Sequence, residues 1–126
     1  PIILDESFVS VGQFPVIEAE PSLWIVNIRV SKMGGLLRAC AVAAQAKSLG
    51  IPIVVGAQVG ETSILTRAAL TVADRYRDVM TAQEGAFGTH LLEYDLCDPP
   101  LMFGRGGRLA VDGCYNRPGL GLSFVR

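Results

Sequence analysis

The sequence predicts an α/β fold with parallel strands joined by crossover helices. Three observations lead there. Residues 23 to 55 read as strand, helix and strand in βαβ spacing, a unit that returns the chain parallel to itself by a right-handed crossover. Ile51 to Val55 is a continuous apolar run, as in a strand buried on both faces. Polar and charged residues gather where the strands stop, and α/β enzymes place their chemistry at that end.

The totals set bounds on this reading. At 126 residues the chain is one folding unit, residues 1–126, and too short for a complete (β/α)8 barrel of roughly 200 residues or more. Half of it is hydrophobic and only 18% is charged, against about 25% in an average soluble domain. So small a chain has much surface to wet, and the shortage of charge predicts that part of it is covered by another copy, another chain or a missing portion of its own. The absence of a starting methionine agrees with a fragment. A net charge of −1 argues against nucleic acid and anionic membranes as partners, and no apolar run reaches the 18 residues of a membrane span. Cys40, Cys97 and Cys114 are widely spaced, which suits neither a disulfide framework nor a zinc site, so a reduced, cytoplasmic setting is expected.

Pro1 to Leu4 reads as a buried strand that delivers Asp5 and Glu6 at its carboxyl end. A carboxylate pair of this kind suits Mg²⁺, a hard cation, but does not complete a site, and a helix cap or solvated turn reads equally well. Residues 8 to 23, with Gly12, Pro15 and Pro21, predict an irregular, partly helical connection. The strand from Leu23 to Ser31 alternates: Val26, Ile28 and Val30 take the core face, and Asn27, Arg29 and Ser31 the other. Gly34-Gly35 then turns the chain into a helix over Leu36 to Leu49, apolar nearly all round and expected to be covered on most sides, with Gly50 and Pro52 as its stop.

Beyond the strand Ile51 to Val55, the loop Gly56-Ala57-Gln58-Val59-Gly60-Glu61-Thr62-Ser63 carries one charge, Glu61, with Thr62 or Ser63 placed to cap the next helix. That helix runs from Ile64 to about Arg77, with Leu65, Ala68, Ala69, Val72 and Tyr76 facing the core. Arg67, Thr71, Asp74, Arg75 and Asp78 are expected to face water. Val79 to Glu84 suits one more short strand. Gly85 to Leu96 is ambiguous, and His90 within it reads as structural rather than as a base. Residues 98–126 form a turn-rich tail of loops with one or two small strands. Its Gly104-Arg105-Gly106-Gly107 lacks the Lys-Ser/Thr and the following helix of a phosphate loop.

Taken together, Leu4-Asp5-Glu6-Ser7, Asn27-Ile28-Arg29-Val30-Ser31-Lys32-Met33-Gly34-Gly35 and Gly56-Ala57-Gln58-Val59-Gly60-Glu61-Thr62-Ser63 resemble, in order and spacing, the C-terminal part of the mandelate racemase and muconate-lactonising enzymes of the enolase superfamily. The stretch Gly85 to Asp95 and the closing Pro118-Gly119-Leu120-Gly121 resemble that family's ending. The resemblance implies an α/β fold that is the C-terminal half of a modified (β/α)7β barrel, strands five to eight. It implies a Mg²⁺-dependent enzyme that abstracts a proton α to a carboxylate, the metal stabilising the charge that develops. A dehydratase, a racemase or epimerase, and a cycloisomerase all follow from that step, on a small carboxylate such as an acid sugar or an amino-acid derivative.

Residue by residue, the resemblance makes Asp5 a metal ligand, with its neighbour Glu6 expected at the metal beside it, and places Glu61 facing substrate; Arg29 and Glu61 are the expected catalytic pair, Arg29 clamping or polarising the acid and Glu61 hydrogen-bonding it or shuttling a proton. Asn27, Arg29 and Ser31 become substrate-binding. Arg29 stands where the muconate-lactonising branch usually carries a catalytic lysine. A guanidinium is a poor base but a good grip for a carboxylate, which tilts the expectation from two-base racemisation toward a lyase or toward a base on other strands. Lys32, three residues along the strand, is expected on the opposite face and unable to substitute. The remaining metal ligands and a second-strand lysine are expected outside the chain. The alternative is a non-catalytic half-barrel that assembles as a scaffold or binding module.

Overall fold

The computed structural model describes residues 1–85 and 88–125. Ala86 and Phe87, part of the family-like stretch from Gly85, lie outside the described residues, as does Arg126. Strands β1 (Ile2–Leu4), β2 (Trp24–Arg29), β3 (Ile53–Gly56) and β4 (Met80–Gln83) form one sheet in the order of the sequence, and every pair is parallel. Parallel neighbours require long crossovers. Helix α2 (Leu36–Ser48) supplies the one between β2 and β3, and helix α3 (Ser63–Arg75) the one between β3 and β4. Between β1 and β2 the chain runs through a short 3-10 turn, helix α1 (Phe14–Ile17) and a second 3-10 turn, the irregular connection that the prolines predict.

Alternation along the strands decides what the helices cover. Val26, Ile28, Ile53 and Val55 are fully buried and pack in one cluster with Ala39, Val42, Ala43 and Ala46 of α2 and Ala68, Ala69, Val72 and Ala73 of α3. Small side chains on both helices allow them to lie close to the sheet and to each other. Phe8 and Phe14 close the cluster, rings edge to face at 4.9 Å between centroids. At an order of 25 cal/mol per Å² of apolar surface removed from water, this layer is the main source of stability.

Several expectations are corrected. Strand β1 is not buried: Ile2 and Ile3 are 60% and 54% exposed, because β1 is the edge of the sheet with one strand beside it. Helix α2 is covered on one stripe only, and Leu37 is 86% exposed. On α3, Arg67 does not meet water. It is 7% exposed, its guanidinium lying 4.5 Å from the Tyr115 ring and donating from Nη1 to Thr71 Oγ1 at 2.7 Å. The tail brings that tyrosine in on helix α5 (Asp112–Tyr115), which follows helix α4 (Gly88–Leu91) and a 3-10 turn at Arg105–Gly107. Among the described residues the tail forms isolated antiparallel bridges, Cys97 with Phe124 and Phe103 with Leu109.

The tail is fastened to the start of α3. The Asp95 carboxylate accepts the Ser63 backbone N–H at 2.9 Å and the Cys97 N–H at 2.9 Å, and Ser63 Oγ accepts the Leu101 N–H at 2.7 Å. Thr62 holds the N-cap position without a side-chain cap bond, and a carboxylate from 32 residues ahead satisfies the Ser63 N–H at the helix start. Among the described residues no helix is long and apolar enough to cross a membrane.

Candidate active site

Strand β2 ends at Arg29, two residues earlier than the alternation predicts, and the backbone turns sharply at Val30 to Gly35. Gly34 and Gly35 take φ of +80° and +114°, conformations that side-chain-bearing residues avoid, and Gly35 N–H closes the turn on Val30 O at 2.9 Å. This turn changes where Lys32 goes. It is not on a strand, and its amine folds back over the sheet end. There it donates to the backbone carbonyls of Asp5 and, at 2.8 Å, of Asn27, and lies 3.6 Å from Asp5 Oδ1. The expectation that it points away is therefore corrected. Burial lowers the Lys32 pKa, with Asp5 opposing and Arg29 reinforcing the depression.

Asp5 is the centre of the cluster. Its Oδ2 accepts from Arg29 Nη2, and the same nitrogen lies 3.4 Å from Glu6 Oε1. Arg29 Nη1 donates to Gln58 Oε1 at 3.0 Å, so the guanidinium is held between β1's end and β3's loop. The Asp5 side chain is 28% exposed and that of Glu6 79%, which makes Asp5 the enclosed carboxylate and Glu6 its solvent-facing neighbour. Gln58, which sequence reasoning left unassigned, also donates its backbone N–H to Glu61 Oε1 at 2.8 Å. Ser31 Oγ, in the turn, donates to the same oxygen at 3.3 Å. Glu61 is 6% exposed and pinned by one of its oxygens.

Asn27 lies one layer below Arg29, 3% exposed, on the same side of the sheet. Its side chain occupies the space over Gly56, where an added Cβ would stand 2.2 Å from Asn27 Oδ1. That Oδ1 is buried without a hydrogen-bond partner among the described residues, as are Asp5 Oδ1 and Arg29 Nε. His90 is exposed on α4 and joins none of these contacts. The structure thus brings Asp5, Glu6, Arg29, Ser31 and Glu61 to one end of the sheet, adds Lys32 and Gln58, and sets Asn27 beneath them.

The chain that carries this arrangement matches a known protein family. Residues 1–126 match the enolase C-terminal domain-like family throughout. The chain belongs to that family. It is 32% identical over 80 residues to the N-acetyl-D-glutamate racemase of Pseudoalteromonas sp., covering 63% of this chain and 25% of that protein. The L-Ala-D/L-Glu epimerase of Bacillus subtilis superposes with a TM-score of 0.64 at 27% identity, over 77% of this chain and 26% of that one. A muconate cycloisomerase from Azorhizobium caulinodans superposes with a TM-score of 0.77 at 23% identity, over 99% of this chain and 34% of its own length. The chain therefore spans a quarter to a third of these relatives. The four parallel strands with their helices are the C-terminal half of an α/β barrel, as the motifs imply.

Members of this family generally use Mg²⁺. The donor chemistry here fits in part: Asp5 Oδ1 is a hard oxygen, buried and without a hydrogen bond, while Oδ2 is engaged by Arg29. Among the described residues no group of three His, Cys, Asp or Glu side chains gathers to complete a site.

Proposed function

We propose that these residues form one side of an active site that removes a proton α to the carboxylate of an N-acylated or peptide-linked amino acid. The observation that carries this reading is Arg29, a guanidinium fixed at the strand ends between Asp5 and Gln58 with donor capacity to spare. Support for the substrate class comes from two relatives whose names specify a glutamate derivative, one an N-acetyl amino acid and one a dipeptide.

In this reading Asp5, through Oδ1, with Glu6 beside it, would hold Mg²⁺ together with ligands from outside the chain. The ion, when bound, supplies positive charge where negative charge develops on the substrate carboxylate. Arg29 grips and orients a carboxylate and, staying protonated, takes no part as a base. Gln58 fixes the guanidinium and, by its backbone, Glu61. With Glu61 Oε1 anchored by Ser31 and Gln58, Oε2 is the oxygen left to receive a substrate N–H. The base lies outside these residues.

The test is exchange in D₂O. The intact protein with Mg²⁺ is incubated with N-acetylglutamate and Ala-Glu, and the α-proton signal is followed by ¹H NMR. Loss of that signal, abolished by Asp5→Asn, is the expected result. Retention of the signal with both substrates, or undiminished exchange in Asp5→Asn, would refute it.

A further inference from the structure

We infer that the cavity between α3, the end of β4 and the tail is a binding site for a small uncharged molecule, an apolar ring or branched chain that carries one hydroxyl group. The cavity measures about 330 Å³. Leu70 of α3 and Leu109 and Val111 of the tail supply its apolar wall. Sheet register shows that it is separate from the strand-end cluster. Gln83, in its lining, pairs with Val55, which packs in the core beneath the helices, whereas Asn27 and Arg29 occupy the opposite face of the sheet. One residue belongs to both places: Glu61 lines the cavity while its Oε1 is held by Ser31 and Gln58.

Size, charge and one hydroxyl define the occupant. An apolar cavity of about 150 Å³ is enough for benzene, so this space admits a substituted ring, and its volume falls within the range of small-molecule sites, roughly 300–1,000 Å³. Two carboxylates, Glu61 and Glu84, line it, and among the described residues no Lys, Arg or His does. An anion is therefore repelled, which sets this cavity apart from a place for the carboxylate of a substrate. An ammonium gains little here. Glu61 is already engaged by two donors and Glu84 is exposed and screened by water, so the cation would give up its hydration to a mostly apolar wall. A neutral molecule bears no such cost. Thr66 sets its polar end: it lines the cavity, is 5% exposed, and its Oγ1 is buried with no hydrogen-bond partner among the described residues. Buried hydroxyls in native proteins are nearly always bonded, and a ligand hydroxyl supplies the missing partner.

Amide NMR titration of the intact protein, without Mg²⁺ or substrate, tests this with three probes of one shape: para-cresol, toluene and para-toluate. Para-cresol should move the Thr66, Leu70 and Val111 signals saturably, and the Gln58 signal with them through Glu61. It should bind about three- to tenfold more tightly than toluene, the net gain of one hydrogen bond. Para-toluate should leave these signals in place. Thr66→Val keeps the shape and removes the hydroxyl, so toluene should bind as before while para-cresol loses its advantage. Val111→Trp, on the half-exposed tail side, should fill the space and exclude every probe. The probe series on the unaltered protein stands even where that variant fails to fold. Signals that move without saturation, or that move at Ile2 and Ile3 of the exposed edge strand instead, would overturn the site. Equal binding of para-cresol and toluene, or binding of para-toluate, would overturn the class of ligand. None of these outcomes involves Asp5 or proton removal, so failure here leaves the proposed function standing, and failure of that function leaves this site standing.

Discussion

At the level of single residues, the site depends on close fits that can be broken one at a time. Gly56 is required by its neighbour: a Cβ there would meet Asn27 Oδ1 at 2.2 Å and its Cγ and Nδ2 at 2.9 Å, and Asn27 is too buried to swing aside. Gly56→Ala should therefore lower stability in urea by about 1–3 kcal/mol, and Asn27→Ala in the same chain should restore part of it. An unchanged midpoint for Gly56→Ala would show that the sheet yields there. Lys32→Met tests a different debt. It leaves the carbonyls of Asp5 and Asn27 without their buried donor, at a cost of about 1–3 kcal/mol, read as a lower thermal midpoint. Equal stability would mean that relief from burying the charge offsets the lost bonds. Arg29, Glu61 and Asp5 were legible in the sequence because motif order and alternation put them at strand ends. Lys32 and Gln58 were not. The strand's last two residues are spent on a turn, and nothing in a period-two pattern says where a strand stops.

Among the elements, the tail and α3 are the informative pair. The helix was legible from its apolar stripe, but its polar stripe does not all face water: amphipathicity separates greasy from charged and does not foresee a later tyrosine arriving to cover Arg67. Arg67→Ala and Tyr115→Ala, combined in a double-mutant cycle, should show a coupling of about 0.5–2 kcal/mol. No coupling would mean that the 4.5 Å approach contributes only packing. Alkaline pH probes the same fastening. Burial foremost, and then the Asp95 carboxylate, pushes the Cys97 thiol up. Cys40 is raised by burial against the pull of Arg75. The unfolded chain loses these protons first, so stability is full below the ordinary thiol value of about 8.5 and declines as pH rises above it. Urea midpoints at about pH 7.5 and about pH 9.5 should separate for the native chain and separate less for Cys97→Val. Equal separation in the two would assign the alkaline loss elsewhere.

For the molecule as a whole, β1 and β4 are the outer strands of the sheet among the described residues. Among the described residues strand β1 is paired on one side only and carries two half-exposed isoleucines, the features that other chains pair with when nothing else does. Expressed alone, the chain should gain mass with concentration in light scattering, and Ile3→Lys should suppress that gain. A monodisperse monomer at every concentration would show that the edge is self-protected. The shortage of charge foretold such a face, but composition has no address: it says that something apolar is left over and not that it is the first strand and one side of α2.

The sheet order has a consequence in time. Since β1, β2, β3 and β4 are neighbours in space in the same order in which they are made, each new strand leaves the ribosome to find its partner edge already present. Strands roughly 25 residues apart emerge seconds apart at synthesis rates of about 5–20 residues per second. Loop closure and strand docking are far faster. The half-barrel is therefore assembled at the pace of translation, one strand and one covering helix at a time, and no strand has to wait for a partner still to be synthesised before it can pair with the one behind it.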